Sequence, residues 1–234
     1  GQVFFLLVAE IGLGFALALA RGIVDADVAF RMGDELWGGD GNASARLLSG
    51  SQIGIVGFGD LGKALLRLLA GFRAKVRIHD PWMPDSAIRD QGAEPASLSE
   101  VLTHSDTVFV VAAVTSENQG FLGREAFTSM RKGAAFILLS RAGVVDFDAL
   151  MNAVESGHIN AASDVFPEEP LALNPRVRGL KGFLRSAHRA GALELVRAGV
   201  ITRDDYVRLI GRNVSSLART PGRHVQSVAQ SSYD

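Results

Sequence analysis

Gly57-Phe58-Gly59-Asp60-Leu61-Gly62 lies between an apolar segment, Ile53 to Val56, and a helical pattern that puts Leu61, Leu65, Leu68 and Leu69 on one side. Glycines at this spacing suit a turn that offers bare backbone to a phosphate. Gly57 allows the tight turn, Gly59 admits close approach, and Gly62 lets helix and strand pack together. The helix start adds free N–H groups and the positive end of the helix dipole. A second apolar segment, Ala74 to Ile78, ends at His79-Asp80. A carboxylate about 20 residues beyond such a turn can accept hydrogen bonds from ribose hydroxyls and would repel a 2′-phosphate, which points to NAD and not NADP. Asp60 is an unfavourable anion beside a phosphate site, and Lys63 can offset it. Glycine-rich turns are common; the strand before, the helix after and the closing acid make this one a dinucleotide signal.

Further along, three apolar segments end in residues able to do chemistry: Ser140-Arg141, Asp164 and His188. An arginine there can clamp a carboxylate in bidentate fashion or lie solvated at the surface. Asp164 can hydrogen-bond a carboxamide or cap the turn that follows it, and local sequence does not separate the two. Glu168 and Glu169 sit in a Pro-bounded loop, where solvated charge is the ordinary expectation. A lone histidine such as His188 is more often a satisfied structural group than a catalyst. His79, His104, His158 and His224 have no comparable setting.

The elements that must position these residues alternate along the chain. Thr107 to Ala113, Ala134 to Leu139, Ile159 to Val165 and Phe183 to Ala187 read as strands, with helical patterns between them. Ser97-Leu98-Ser99-Glu100 is a capping box, Asp146 caps a helix through Glu155, and Gly92 to Glu94 suits a short edge strand. The alternation predicts an α/β fold, a Rossmann-type doubly wound parallel sheet with helices on both faces. Residues 1–190 form the dinucleotide-binding domain with an N-terminal connecting helix. Residues 191–234 form a C-terminal helical extension, with Asp204-Asp205 near a helix start and a frayed polar tail after Pro221.

Composition narrows the function classes. A hydrophobic content of 47% with 21% charged residues describes a globular chain with a full core. A net charge of −1 gives no electrostatic reason to expect nucleic acid or an anionic membrane. The absence of cysteine excludes disulfides, thiolate catalysis and Cys-ligated zinc, fits a cytoplasmic setting, and no metal site is expected. The opening run, VFFLLVAEIGLGFALALA, is long enough for a membrane span, but Glu10 lies near its middle and no basic segment precedes it. Gly12 and Gly14 suit a tightly packed helix buried in a core, against another subunit or against a further domain. Arg21 to Trp37 reads as a helix continuing from it, before a loop at Gly38 to Asn42.

Taken jointly, IGIVGFGDLGK, HDPW, TSENQGFLGREAFTSMRKGAAFILLSRAGVVD, AASDVFPEEPL and SAHRAG resemble the D-isomer-specific 2-hydroxyacid dehydrogenases, in that family's order and spacing, over roughly Ala9 to Gly191. The family includes phosphoglycerate, glycerate, D-lactate and formate dehydrogenases. The resemblance implies Arg141, Glu169 and His188 as catalytic residues. It implies NAD contacts from Gly57, Gly59, Asp60, Leu61 and Gly62 in the turn, and from Asp80 after the second strand. Further contacts are implied from Ala113, Thr115, Ser140, Asp164 and His188. Ala187 and Ala113 stand where the family commonly has proline, and Ala142 where it has glycine. The family's long N-terminal substrate-domain segment is not in this sequence, which makes an incomplete or inactive fragment one expectation.

The implied reaction is hydride transfer between nicotinamide and a small 2-hydroxy or 2-oxo acid, in a homodimer. Two other classes share the early motifs. An NAD-sensing interaction protein would need none of Arg141, Glu169 and His188. A methyltransferase also uses a glycine-rich turn and a ribose-binding acid, but not the second half-sheet ending in Asp164. Competition between NADH and S-adenosylmethionine separates these readings.

Overall fold

The computed structural model describes residues 2–173 and 176–190; the expected extension over 191–234 lies outside the described residues. Seven strands form one sheet in the order β3-β2-β1-β4-β5-β6-β7. They are β1 (Gln52–Val56), β2 (Lys75–His79), β3 (Glu94–Pro95), β4 (Thr107–Val110), β5 (Ala135–Leu138), β6 (Asn160–Ser163) and β7 (Phe183–Arg185). Every pairing is parallel. Parallel neighbours need crossovers, which place helices on the faces and leave strands apolar on both sides. Phe109 and Ile137 accordingly point into one core while Val108, Val110 and Phe136 point into the other.

Helices α1 (Gln2–Arg21), α3 (Asp60–Leu69) and α4 (Asp85–Arg89) cover one face. Helices α5 (Leu98–His104), α6 (Arg124–Ser129) and α7 (Phe147–Glu155) cover the other. The expected caps are present. Ser97 and Glu100 form the reciprocal capping box, and Asp146 accepts from the Ala149 N–H at 3.0 Å. The doubly wound fold thus matches the reading of the sequence; β4 ends three residues earlier than read, β5, β6 and β7 are one or two residues shorter at their ends, β1 begins one residue earlier, β2 is shifted by one, and the edge strand lies at Glu94–Pro95.

The N-terminal helices differ from expectation in one respect. The helix read over Arg21 to Trp37 is instead α2 (Ile23–Met32), set off by Gly22 and closed by Gly33, both left-handed. Gly33, at φ 75°, turns its N–H back to the carbonyls of Ala29 and Phe30, which ends the helix before Leu36 and Trp37. Helix α1 is long and apolar enough to cross a bilayer by length and composition. It packs on α3 and β5 with Val8, Ala9 and Ala16 buried. A Cβ on Gly12 would stand 2.4 Å from Leu139 Cδ1, so glycine is what permits this close seating.

Candidate active site

The strand order reverses between β1 and β4, and the loops at their carboxyl ends open a crevice there. Gly57 leaves β1 at φ 100°, and a Cβ on it would lie 2.6 Å from the Ala112 backbone N. A Cβ on Gly62 would lie 2.5 Å from the Gly57 carbonyl oxygen, which confirms the helix–strand contact assigned to it. Gly59 faces open space and caps α3 without a side-chain partner, leaving the helix N–H groups for a ligand. Asp60 and Leu61 form the first turn of that helix.

Asp80 lies at the end of β2, beside this turn. Its carboxylate accepts from the Phe58 N–H at 2.6 Å and the Trp82 N–H at 2.9 Å, so it braces the glycine-rich turn. Each oxygen retains lone pairs for further donors. Across the crevice, Ala113 and Thr115 occupy an exposed loop after β4. Asn118 holds that loop, accepting from the Thr115 N–H at 2.7 Å and donating to the Ala113 carbonyl at 2.8 Å. Ser140 Oγ is buried at the end of β5 with no partner among the described residues. An open glycine cradle, a free helix start and an orphaned hydroxyl are together what a dinucleotide would satisfy.

The residues expected to act on substrate converge at the ends of β5, β6 and β7. Arg141 opens the short turn Ala142–Val144 that follows β5. Glu169 Oε2 lies 2.7 Å from His188 Nδ1, while Oε1 accepts from the Phe166 N–H at 2.7 Å. The hydrogen bond that Glu169 accepts from the ring raises the His188 pKa above 6.5 against the opposing effect of burial, with the Glu169 and Asp164 charges adding to the rise and Arg141 opposing it. Burial pushes Glu169 upward, but His188, the Phe166 N–H and Arg141 together hold it below 4.5. Burial lowers the Arg141 pKa and Glu169 counters it. The result is a cation beside an acid–base pair. Glu168 lies beside Glu169 in the same exposed loop.

Asp164 is 1% exposed. Its carboxylate accepts from the Ser186 hydroxyl, the Arg189 N–H at 2.8 Å and the Ala190 N–H at 3.0 Å. These partners lie in the loop after β7 and not in the turn that follows Asp164, so the carboxylate holds the neighbouring strand's loop instead of capping its own. That loop carries His188 in the left-handed region at φ 51°. Sequence reasoning singled out neither Asn118 nor Ser186. Asn118 had a signal, since Asn and Asp side chains commonly close loops onto their own backbone.

With this geometry in place, comparison with known proteins is decisive. Residues 13–190 match the family model of the D-isomer specific 2-hydroxyacid dehydrogenase NAD binding domain. The chain belongs to this family. It is an α/β, NAD-binding member of it, as the residues implied. It is 32% identical over 168 residues to D-3-phosphoglycerate dehydrogenase of Mycobacterium leprae, an alignment covering 71% of this chain and 31% of that protein. Glyoxylate reductase of Thermococcus kodakarensis is 33% identical, with 85% of this chain and 59% of that one covered. A crystal structure of a phosphoglycerate oxidoreductase from Rhizobium etli superposes with a TM-score of 0.80 and 67% identity, covering 91% of this chain and 69% of that one. The chain therefore spans less than two thirds of the curated relatives it matches. A second family model, M61 glycyl aminopeptidase, matches residues 188–234.

Proposed function

We propose that this dehydrogenase-family domain serves hydride transfer between NAD(H) and a small 2-hydroxy or 2-oxo acid of the D series. The observation that carries the reading is the Glu169–His188 pair at 2.7 Å beside Arg141, at the carboxyl end of the sheet that holds the glycine-rich turn. Gly57, Gly59, Asp60, Leu61 and Gly62 hold the pyrophosphate and Asp80 the adenosine ribose. Ala113, Thr115, Ser140, Asp164 and His188 border the nicotinamide end. NAD supplies the hydride chemistry when bound. Arg141 holds the substrate carboxylate and stabilises negative charge developing on the C2 oxygen. His188, engaged through Nδ1, exchanges a proton with that oxygen through Nε2, and Glu169 keeps the ring oriented and favours its charged form.

An NAD sensor is the second reading, but it leaves the three-residue constellation without a purpose. Titration with NADH, followed by a spectrophotometric screen of 2-oxo acids with glyoxylate and phosphohydroxypyruvate among them, tests the proposal. NADH binding with reduction of at least one acid by the holoprotein supports it. Binding without reduction of any of them favours the sensor.

A homodimer belongs to the same proposal. No residue of α2 is buried, and Val28, Phe30, Met32, Leu36, Trp37 and Leu47 are exposed around it. Phe30 and Trp37 stack edge to face, and exposed apolar groups brought together in this way suit an interaction site. Sedimentation of Phe30→Asp against the unmodified chain checks it. A cytoplasmic setting fits the cysteine-free sequence.

For residues 191–234 two readings stand, a helical remnant of a substrate domain and a segment of the M61 type. The second match begins at 188, where the dehydrogenase match is ending at 190, and this favours the M61 type. The stretch has no HExxH pair for zinc, so no peptidase chemistry is proposed for it. Unchanged NADH affinity after truncation at Ala190 is the expected result under either reading.

A further inference from the structure

We infer that Arg178 is a positioning residue for the Glu169–His188 pair, fastening the chain just beyond Glu169 so that its carboxylate stays within reach of the imidazole. The inference rests on the acid–base reading proposed above. Arg178 Nε donates to the Ala172 carbonyl and Nη2 to the Leu171 carbonyl, both at 2.8 Å. Two donors on one planar group thus grip two successive carbonyls, an arrangement that suits guanidinium and not a single ammonium.

Besides this grip, the stretch is held by the half-buried Leu171 side chain. Residues 167–170 are exposed, and Leu173 is 89% exposed. Apolar packing therefore holds the chain after Glu169 only at Leu171, which rests against the core. At its other end the loop is tied by the Phe166 N–H to Glu169 Oε1. Arg178 itself is firmly based, in the 3-10 turn Arg176–Gly179, where Val177 is 2% exposed and Arg176 pairs with Glu155 of α7. The grip joins a buried anchor to the loop that carries the catalytic carboxylate.

The charged groups that bear on His188 are Glu169, Asp164 and Arg141; Arg178 is not among them. A change at Arg178 that moves the His188 titration therefore reports the placement of Glu169. The test is an NMR titration of the His188 imidazole in the full chain, with His188→Gln to assign the signal. Arg178→Met, Arg178→Lys and Glu169→Gln are compared, alongside thermal unfolding and NADH affinity.

Unmodified His188 is expected to titrate above 6.5 and to return toward it in Glu169→Gln. Arg178→Met is expected to give most of that return with NADH affinity within about twofold, since neither residue belongs to the phosphate cradle. Arg178→Lys, which keeps the charge but loses the fork, is expected to fall between. Should Arg178→Met fail to fold, the Lys variant decides by the same criterion. A raised His188 pKa that neither Arg178 variant moves overturns the role of Arg178 alone. An unmodified His188 that titrates ordinarily and ignores Glu169→Gln overturns the acid–base pairing itself, and this inference with it.

Discussion

His188 donates its main-chain N–H to the Asp164 carbonyl at 2.9 Å, and the carboxylate of the same aspartate holds the next two residues, Arg189 and Ala190. A histidine in the left-handed region is uncommon and persists only where its surroundings determine it. Here the determinant is Asp164, through both its main-chain carbonyl and its buried carboxylate.

Asp164→Ala would leave the Arg189 and Ala190 N–H groups and the Ser186 hydroxyl without their acceptor. Each unsatisfied buried group costs about 1–3 kcal/mol, so a loss of about 2–4 kcal/mol in denaturant unfolding is expected after relaxation. Asp164→Asn, which retains one acceptor oxygen, should lose less. A change below about 0.5 kcal/mol would remove Asp164 from this role.

Under the proposed acid–base role, the raised His188 pKa should set the pH dependence of turnover in the holoenzyme. Reduction of a 2-oxo acid needs the imidazolium, so its rate should persist above pH 6.5 and fall as pH rises through the elevated pKa. Oxidation needs neutral imidazole and should gain over the same window. The pair's contribution to folding follows the same sign. It is fully present below the unfolded pKa and lost as pH rises through the folded one. Glu169→Gln should shift both rate limbs to lower pH, and His188→Ala should cost roughly 10²–10⁴-fold in turnover. Limbs that stay in place in Glu169→Gln would break the assignment.

Coenzyme choice should follow Asp80. Its carboxylate repels a 2′-phosphate, so NADH should bind more tightly than NADPH, and Asp80→Ser should narrow the gap. Because Asp80 also accepts from the Phe58 N–H, the Ser variant should weaken NADH as well. Calorimetric titration with both coenzymes checks the ratio; equal affinities in the unmodified chain would contradict it.

Gly57→Ala should abolish tight NADH binding. Alanine is strained at φ 100°, and its Cβ would press on backbone at Ala112, which cannot rotate away. Gly59→Ala meets no protein atom within 4 Å. It should fold normally and lose affinity alone. Paired measurements of unfolding midpoint and NADH affinity separate the two glycines.

Much of the doubly wound sheet was legible because its signals are local. The glycine turn, the Ser97 capping box and the apolar runs each report on a few neighbouring residues. The end of α2 was less so, since residues beyond Gly33 continue an apolar pattern that only the left-handed glycine interrupts. At the site, Glu168 and Glu169 share the same loop and the same local chemistry. What distinguishes them is a pairing with His188 across the parallel neighbours β6 and β7, and residue-by-residue reading cannot see across strands. The family resemblance supplied that choice. Asp164 was ambiguous for the same reason, its partners lying on a strand of distant sequence.

The seating of α1 on the sheet links two parts of the molecule that sequence separates widely. Leu139, which leaves no space for a methyl at Gly12, is followed by Ser140 and then Arg141. A bulkier residue at position 12 would have to displace the Leu139 side chain, two residues before Arg141. Tolerance to substitution at position 12 is therefore set by how far the Leu139 side chain can give, and a helix remote in sequence from every motif lies against the strand end that leads to Arg141.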